Sequence, residues 1–156
     1  IMERLENPAE IVEWVNCASY EFLREVRQYA TVNFVTFEES TLHYVCGGGY
    51  GLLLGADGRE HIFEKKNHFL GLRQKPYLEE QLPFVVGDLL VLYTDGMVEA
   101  QNAEGKDYSV ARLNDVVRRH RTLPAEEIVK LCVEDYHAFR TQDSDDITLL
   151  IARKTA

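Results

Sequence analysis

Two acidic loops carry the residue types best suited to chemistry. Asp95 closes the apolar run Leu89-Leu90-Val91-Leu92-Tyr93 and is followed at once by Gly96. Asp143, Asp145 and Asp146 crowd the start of a last apolar segment, residues 147–152. Carboxylates this close repel one another, a cost that solvent or a bound cation must offset. Hard divalent cations such as Mg²⁺ and Mn²⁺ take carboxylate oxygens and water, so aspartates at strand ends suit them. Asp and Gly are also common in turns for local reasons, so a turn aspartate and a solvated loop stand as the competing reading.

The elements that must position these loops can be read from the apolar pattern. Asn7-Pro8 reads as a helix start, an N-cap followed by proline at the first helical position. Ile11, Val15, Ala18, Phe22 and Val26 then recur at helical spacing to about Gln28. Residues 31–46 alternate around Glu38-Glu39-Ser40 as a β-hairpin. After Gly47-Gly48-Gly49, a second hairpin turns at Ala56-Asp57-Gly58, and residues 78–84 read as another strand. Leu89–Tyr93 has no polar face and predicts a strand buried on both sides. Two helices follow, one with the stripe Val110, Leu113, Val116 and Val117. Pro124 opens the other, which aligns Ile128, Cys132, Tyr136 and Phe139. A polar loop, 141–146, leads to the final strand. Helix, several strands, two helices and a strand make an α+β pattern with mostly antiparallel pairing.

Composition narrows the function classes. At 156 residues, the length suits one domain, and 46% hydrophobic with 28% charged residues is ordinary for a globular protein. A net charge of -9 argues against nucleic acid as a partner. The basic run Arg118-Arg119-His120-Arg121 falls at a helix end, where cations oppose the helix dipole. Cys17, Cys46 and Cys132 lack metal or disulfide spacing and suit reduced, buried cysteines of a cytosolic protein. No apolar run is long enough to span a bilayer. Gly47–Gly51 has no following lysine, so no phosphate-binding P-loop is present. An EF-hand loop starting at Asp143 would carry Ile147 at its fifth position with no glycine next. Asp143-Ser144-Asp145 matches the D-x-D of haloacid-dehalogenase-type phosphatases. That motif follows an early parallel strand, whereas this one precedes the last.

Gly87-Asp88-Leu89-Leu90-Val91-Leu92-Tyr93-Thr94-Asp95-Gly96, then Val98-Glu99-Ala100, Asn102 and Gly105, resembles the G-D-x-L-x-L-Y-T-D-G-x-x-E-A signature of PPM-type phosphatases. The branch is the bacterial one typified by the stage II sporulation phosphatase SpoIIE and the stress-regulator phosphatase RsbU. Asp145-Asp146-Ile147-Thr148-Leu149-Leu150 is similar to its closing D-D-I-T-L-L. Leu70-Gly71-Leu72 resembles its L-G-L/V turn. Asn7-Pro8-Ala9-Glu10-Ile11, Val15-Asn16 and Ala30-Thr31 fall where it has P-A-E-x-L, L-N and A-T. The resemblance runs in register along the chain and corresponds to the carboxy-terminal two-thirds of that domain. The family's earlier G-G-D and G-D-x-S-x-G segments have no counterpart in these residues. Gly49 stands for the histidine of A-G-H, and Ser109 for a glycine.

The resemblance implies an α+β fold, a mostly antiparallel β-sandwich with flanking helices, its amino-terminal strands missing, so that residues 1–156 form one incomplete domain. It implies two Mn²⁺ or Mg²⁺ ions holding a water that attacks the phosphorus of phosphoserine or phosphothreonine. Carried over residue by residue, Asp95 and Asp145 are metal ligands. Asp146 orients a ligand or a metal-bound water, and Thr94 and Gly96 position the loop. Glu99 stays open between a site role and a structural one. The implied substrate is a small phosphoserine protein of the anti-sigma-factor-antagonist type, in cytoplasmic bacterial signalling. The implied partner is an amino-terminal sensor or receiver domain; dimerisation stays open. The rival from another class is a pseudophosphatase, a non-catalytic interaction module of the same fold.

Overall fold

A computed structural model describes residues 7–63, 67–141 and 146–155. The elements run α1 (Pro8–Glu25), β1 (Val32–Glu38), β2 (Thr41–Gly47), β3 (Tyr50–Leu54), β4 (Glu60–Ile62), β5 (Glu80–Pro83), β6 (Leu89–Tyr93), a 3₁₀ turn (Asp95–Met97), α2 (Val110–His120), α3 (Ala125–Phe139) and β7 (Leu149–Arg153). The architecture is α+β, with one sheet in the order β1-β2-β5 and another in the order β4-β3-β6-β7. The chain divides into two compact units, Ile1–Tyr50 with Phe63–Val85, and Gly51–Ile62 with Val86–Ala156.

In the first unit, α1 starts as read: the Asn7 side chain accepts from the Ala9 N–H at 2.8 Å, and proline follows the cap. Its orientation differs from the sequence reading. Pro8, Ala9, Val12 and Asn16 are the buried residues, and the stripe through Val15, Ala18, Phe22 and Val26 faces outward. Sheet contacts, which periodicity cannot see, chose the face. Val12 joins Val45, Leu70 and Tyr77 in the core. Asn16, 3% exposed, uses both ends of its amide: Oδ1 accepts from the Gly71 N–H and Nδ2 donates to the Arg73 carbonyl, each at 2.8 Å. Gly71 has φ +80, and a Cβ there would lie 2.6 Å from Leu23 Cβ. Leu70-Gly71-Leu72 is therefore a seat for α1, and only glycine fits its centre. The first hairpin turns at Glu39-Ser40, with register from Val32↔Gly47 to Glu38↔Thr41.

In the second unit, all five residues of β6 are buried, as an apolar run without a polar face requires. Asp88, fully buried, fixes its start. Its Oδ1 accepts from the Ala56 N–H at 2.8 Å and its Oδ2 from Arg59 Nη2 at 2.9 Å, while its backbone carbonyl accepts from Lys154. The Gly-Asp pair before the strand thus ties the β3–β4 turn and the end of β7 to β6. Helices α2 and α3 pack on each other and α3 on β7, burying Leu113, Val116, Val117, Ile128, Cys132 and Tyr136. Cys46 and Cys132 are buried free thiols, but Cys17 is exposed, contrary to the expectation for all three.

Candidate metal centre at the β6 and β7 strand ends

The described candidate residues of the second unit, Thr94, Asp95, Gly96 and Asp146, lie where β6 ends and just before β7 begins. The ladder runs from Leu89↔Arg153 to Tyr93↔Leu149. One residue further the two chains remain fastened: the Thr94 N–H donates to the Thr148 carbonyl at 3.1 Å, and the Thr148 N–H donates to Thr94 Oγ1 at 2.9 Å. Thr94 therefore acts as a strap between the loops as well as the cap of the 3₁₀ turn. Thr148 completes the strap. Sequence reading gave it no role, although a threonine in both T-D-G and D-I-T was the available signal.

Asp95 follows the strap and is exposed. Its Oδ1 accepts from the Gly96 N–H at 3.0 Å, and its backbone carbonyl accepts from Val98 at 2.8 Å and Glu99 at 3.0 Å. The turn is thus held by backbone hydrogen bonds. Gly96 is buried and is not among the glycines at positive φ, so the turn does not use it for a left-handed conformation. Its carbonyl lies 3.5 Å from the Tyr136 hydroxyl. Glu99 is exposed. Asp146, also exposed, precedes Thr148 by two residues, so the strap sets it at the same end of the sheet as Asp95. Asp145, the other expected ligand, and Asp143 lie outside the described residues.

A hard cation is suited by the donors that the described residues offer here, the exposed carboxylates of Asp95 and Asp146. The fit is one of kind. Among the described residues no three His, Cys, Asp or Glu side chains converge on a metal position.

In the first unit, Gly47-Gly48-Gly49 is a packing seam. Gly48 has φ +82, and a Cβ there would enter the Phe69 ring, 1.9 Å from its nearest atom. A Cβ on Gly49 would lie 2.2 Å from Asn33 Oδ1, which is also 2.6 Å from the donating Tyr44 hydroxyl. The Asn33 amide thus lies where the Cβ of any other residue at position 49 would stand.

Solved structures share this fold. The SiaA-PP2C domain of Pseudomonas aeruginosa matches with TM-score 0.82 at 20% identity, over 94% of this chain and 61% of that one. The catalytic domain of the serine/threonine protein phosphatase PstP, in complex with two manganese ions, matches with TM-score 0.63 at 14% identity, over 99% and 75%. The RsbU and RsbW domains of a Mycobacterium tuberculosis protein match with TM-score 0.66 at 21% identity, over 99% and 43%. At these identities the likeness is one of fold, and the fold is that of the PP2C phosphatases. The chain belongs to the family of stage II sporulation protein E (SpoIIE), whose family model matches residues 1–155. It spans 61% of the length of the first of these structures. No match was found among curated protein sequences.

Proposed function

We propose that these residues form the carboxy-terminal part of a single metal-dependent protein serine/threonine phosphatase domain, with Asp95 and Asp145 as ligands to Mn²⁺ or Mg²⁺. The observation that carries this reading is the Thr94–Thr148 strap, which holds Asp95 and the described residues from Asp146 to Thr148 at one end of one sheet. Family membership and the manganese in the PstP structure support the choice of ion. When bound, a pair of such ions supplies the Lewis acidity for attack of water on a phosphoryl group. Asp95 offers its carboxylate while the Gly96 N–H holds one oxygen in place. Asp146 orients a ligand or a bound water, and Thr94 and Gly96 hold the loop rigid beneath them. The substrate is a phosphoserine on a small regulatory protein of the anti-sigma-factor-antagonist type, and a sensor or receiver domain governs the site in the cytoplasm.

The second reading, a non-catalytic module of the same fold, is favoured by one observation: glycine stands where A-G-H has histidine, and a Cβ at Gly49 would lie 2.2 Å from Asn33 Oδ1. Mn²⁺ titration by calorimetry, with turnover of an aryl phosphate, separates the two. The 156-residue chain should bind Mn²⁺ weakly and turn over little, because two hard cations need more carboxylate than it supplies. In a complete domain that carries this segment, Asp95→Asn should lower turnover at limiting Mn²⁺ by more than about tenfold while leaving the melting temperature unchanged. Undiminished turnover in that variant would remove Asp95 from the metal site. Robust turnover by the short chain would show that this segment builds a complete site alone.

A further inference from the structure

Two buried tyrosines lie side by side in the second unit, and the chemistry proposed above uses neither. Tyr108 and Tyr136 are each 1% exposed, and their ring centroids are 5.7 Å apart in an edge-to-face pair. A tyrosine this deep must find an acceptor for its hydroxyl, because leaving a buried donor unpaired is costly. The two find theirs in different places. The Tyr108 hydroxyl donates to Asp135 Oδ2 at 2.7 Å, on a carboxylate that Arg112 of α2 also holds. The Tyr136 hydroxyl donates to the Gly96 carbonyl at 3.5 Å, one residue past Asp95.

The hydrogen bonds of the 3₁₀ turn show why an outside donor matters there. The Met97 N–H donates to the Thr94 carbonyl, and the Val98 and Glu99 N–H groups both donate to the Asp95 carbonyl. Among the described residues no backbone N–H outside the turn reaches its middle carbonyl, that of buried Gly96. A buried carbonyl needs a partner, and the Tyr136 hydroxyl is placed to be one. Gly96 is also the residue whose N–H holds Asp95 Oδ1 at 3.0 Å. Its two ends thus face the candidate ligand and the tyrosine. The Tyr136 bond is long, so its effect falls on the turn and not on the fold.

Tyr136 itself has little freedom to move. It stands in the last turn of α3, which packs on α2 and β7. Tyr108 meets its ring edge to face, and the Arg140 guanidinium lies 5.4 Å from its centroid. The chain that leads into β7 is in turn strapped to Thr94. The Asp95 turn is therefore held at its start by the strap and at its middle by α3.

We propose that Tyr136 is a positioning residue for the metal centre: through the Gly96 carbonyl it fixes the turn that presents the Asp95 carboxylate. The proposal rests on reading Asp95 as a metal ligand, but the turn can be observed with no metal present. The test is Tyr136→Phe in a complete domain that carries this segment, beside Tyr108→Phe. Each variant keeps its ring and loses one hydroxyl, so both should fold with small drops in melting temperature. Metal-free amide exchange followed by NMR should be several-fold faster at Val98 and Glu99 in Tyr136→Phe, and unchanged there in Tyr108→Phe. Mn²⁺ affinity by calorimetry should fall about tenfold in the first variant and hold its parent value in the second. Parent-like exchange at Val98 and Glu99 in Tyr136→Phe would overturn the proposal. Equal effects of the two substitutions would overturn it too, since the loss of any buried hydroxyl would then suffice. Faster exchange in a domain that binds no Mn²⁺ would sink the metal reading and leave Tyr136 as the support of the turn. A Mn²⁺ affinity untouched by Tyr136→Phe would keep the metal reading and remove Tyr136 from it.

Discussion

Strand β6 and helix α1 are both announced by apolar residues in the sequence, and they meet opposite fates. Every residue of β6 is buried, whereas the most regular apolar stripe of α1 faces solvent. The difference lies in what each pattern leaves undecided. Five consecutive apolar side chains alternate to both faces of a strand, so no rotation exposes a polar side and burial is forced. A helical stripe occupies one sector and says only that the sector needs cover. In α1 the sector that won the sheet holds Val12 and the buried amide of Asn16, whose bonds to Gly71 and Arg73 lock the helix rotation.

The largest expected effect follows from the forced burial of β6. Leu90→Asp places a carboxylate at a position 1% exposed, in a strand hydrogen-bonded on both sides. Burying an unpaired charge costs more than about 4 kcal/mol, a large share of the 5–15 kcal/mol typical of a domain. The variant should be unfolded by circular dichroism and by urea titration. A cooperative transition near that of the parent would break the contrast between strand and helix, because it would show that β6 can turn a face to water.

A middle-sized effect tests how α2 and α3 close over each other while α1 leaves a face bare. Arg112 donates Nε to Asp135 Oδ2 at 2.8 Å and Nη2 to Oδ1 at 2.9 Å, and the Tyr108 hydroxyl adds a third bond at 2.7 Å. The Arg112 guanidinium, then burial opposing it, and then the Tyr108 hydroxyl set the Asp135 carboxyl below its ordinary 3.8 overall. A depressed folded pKa gives stability that is present above the unfolded value and is lost as pH falls through the folded one. Wild type should therefore lose stability below about pH 3.8, and Asp135→Asn should flatten that part of the acid limb. The clasp contributes at most about 1 kcal/mol, because Arg112 is 42% exposed and water screens the pair. Parallel acid limbs in the two proteins would mean that apolar packing alone holds the helices.

Much of the fold was legible, because each strand carried its own signal. Residues 31–46 read as a hairpin from alternation about Glu38-Glu39-Ser40, and Asn7-Pro8 marks the helix start to the residue. The place of Asp95 was legible for the same reason: the apolar run had to end, and it ends there. What the strand ends share was less visible. Thr94 and Thr148 are 54 residues apart, and only the antiparallel register of β6 with β7 makes them partners. The part played by Asn33 was hidden too, since its contact with Gly49 arises where the sheet end meets a turn. Local pattern fixes elements, whereas these pairings are products of tertiary register.

The smallest expected effect bears hardest on the comparison. Phe22 is the most exposed large hydrophobic residue of α1, at 64%, so replacing it forfeits little burial. Serine and phenylalanine differ little in intrinsic helix propensity, and the position is helical on both sides. Phe22→Ser in the 156-residue chain should therefore shift stability by less than about 0.5 kcal/mol. Val12→Ala, on the same helix but 1% exposed, should cost about 2 kcal/mol, from two lost methyl groups and the cavity left behind. Urea unfolding of both variants beside the parent gives the ratio directly. If Phe22→Ser proved as costly as Val12→Ala, the outer stripe would already be covered in this chain, and the difference between α1 and β6 would disappear.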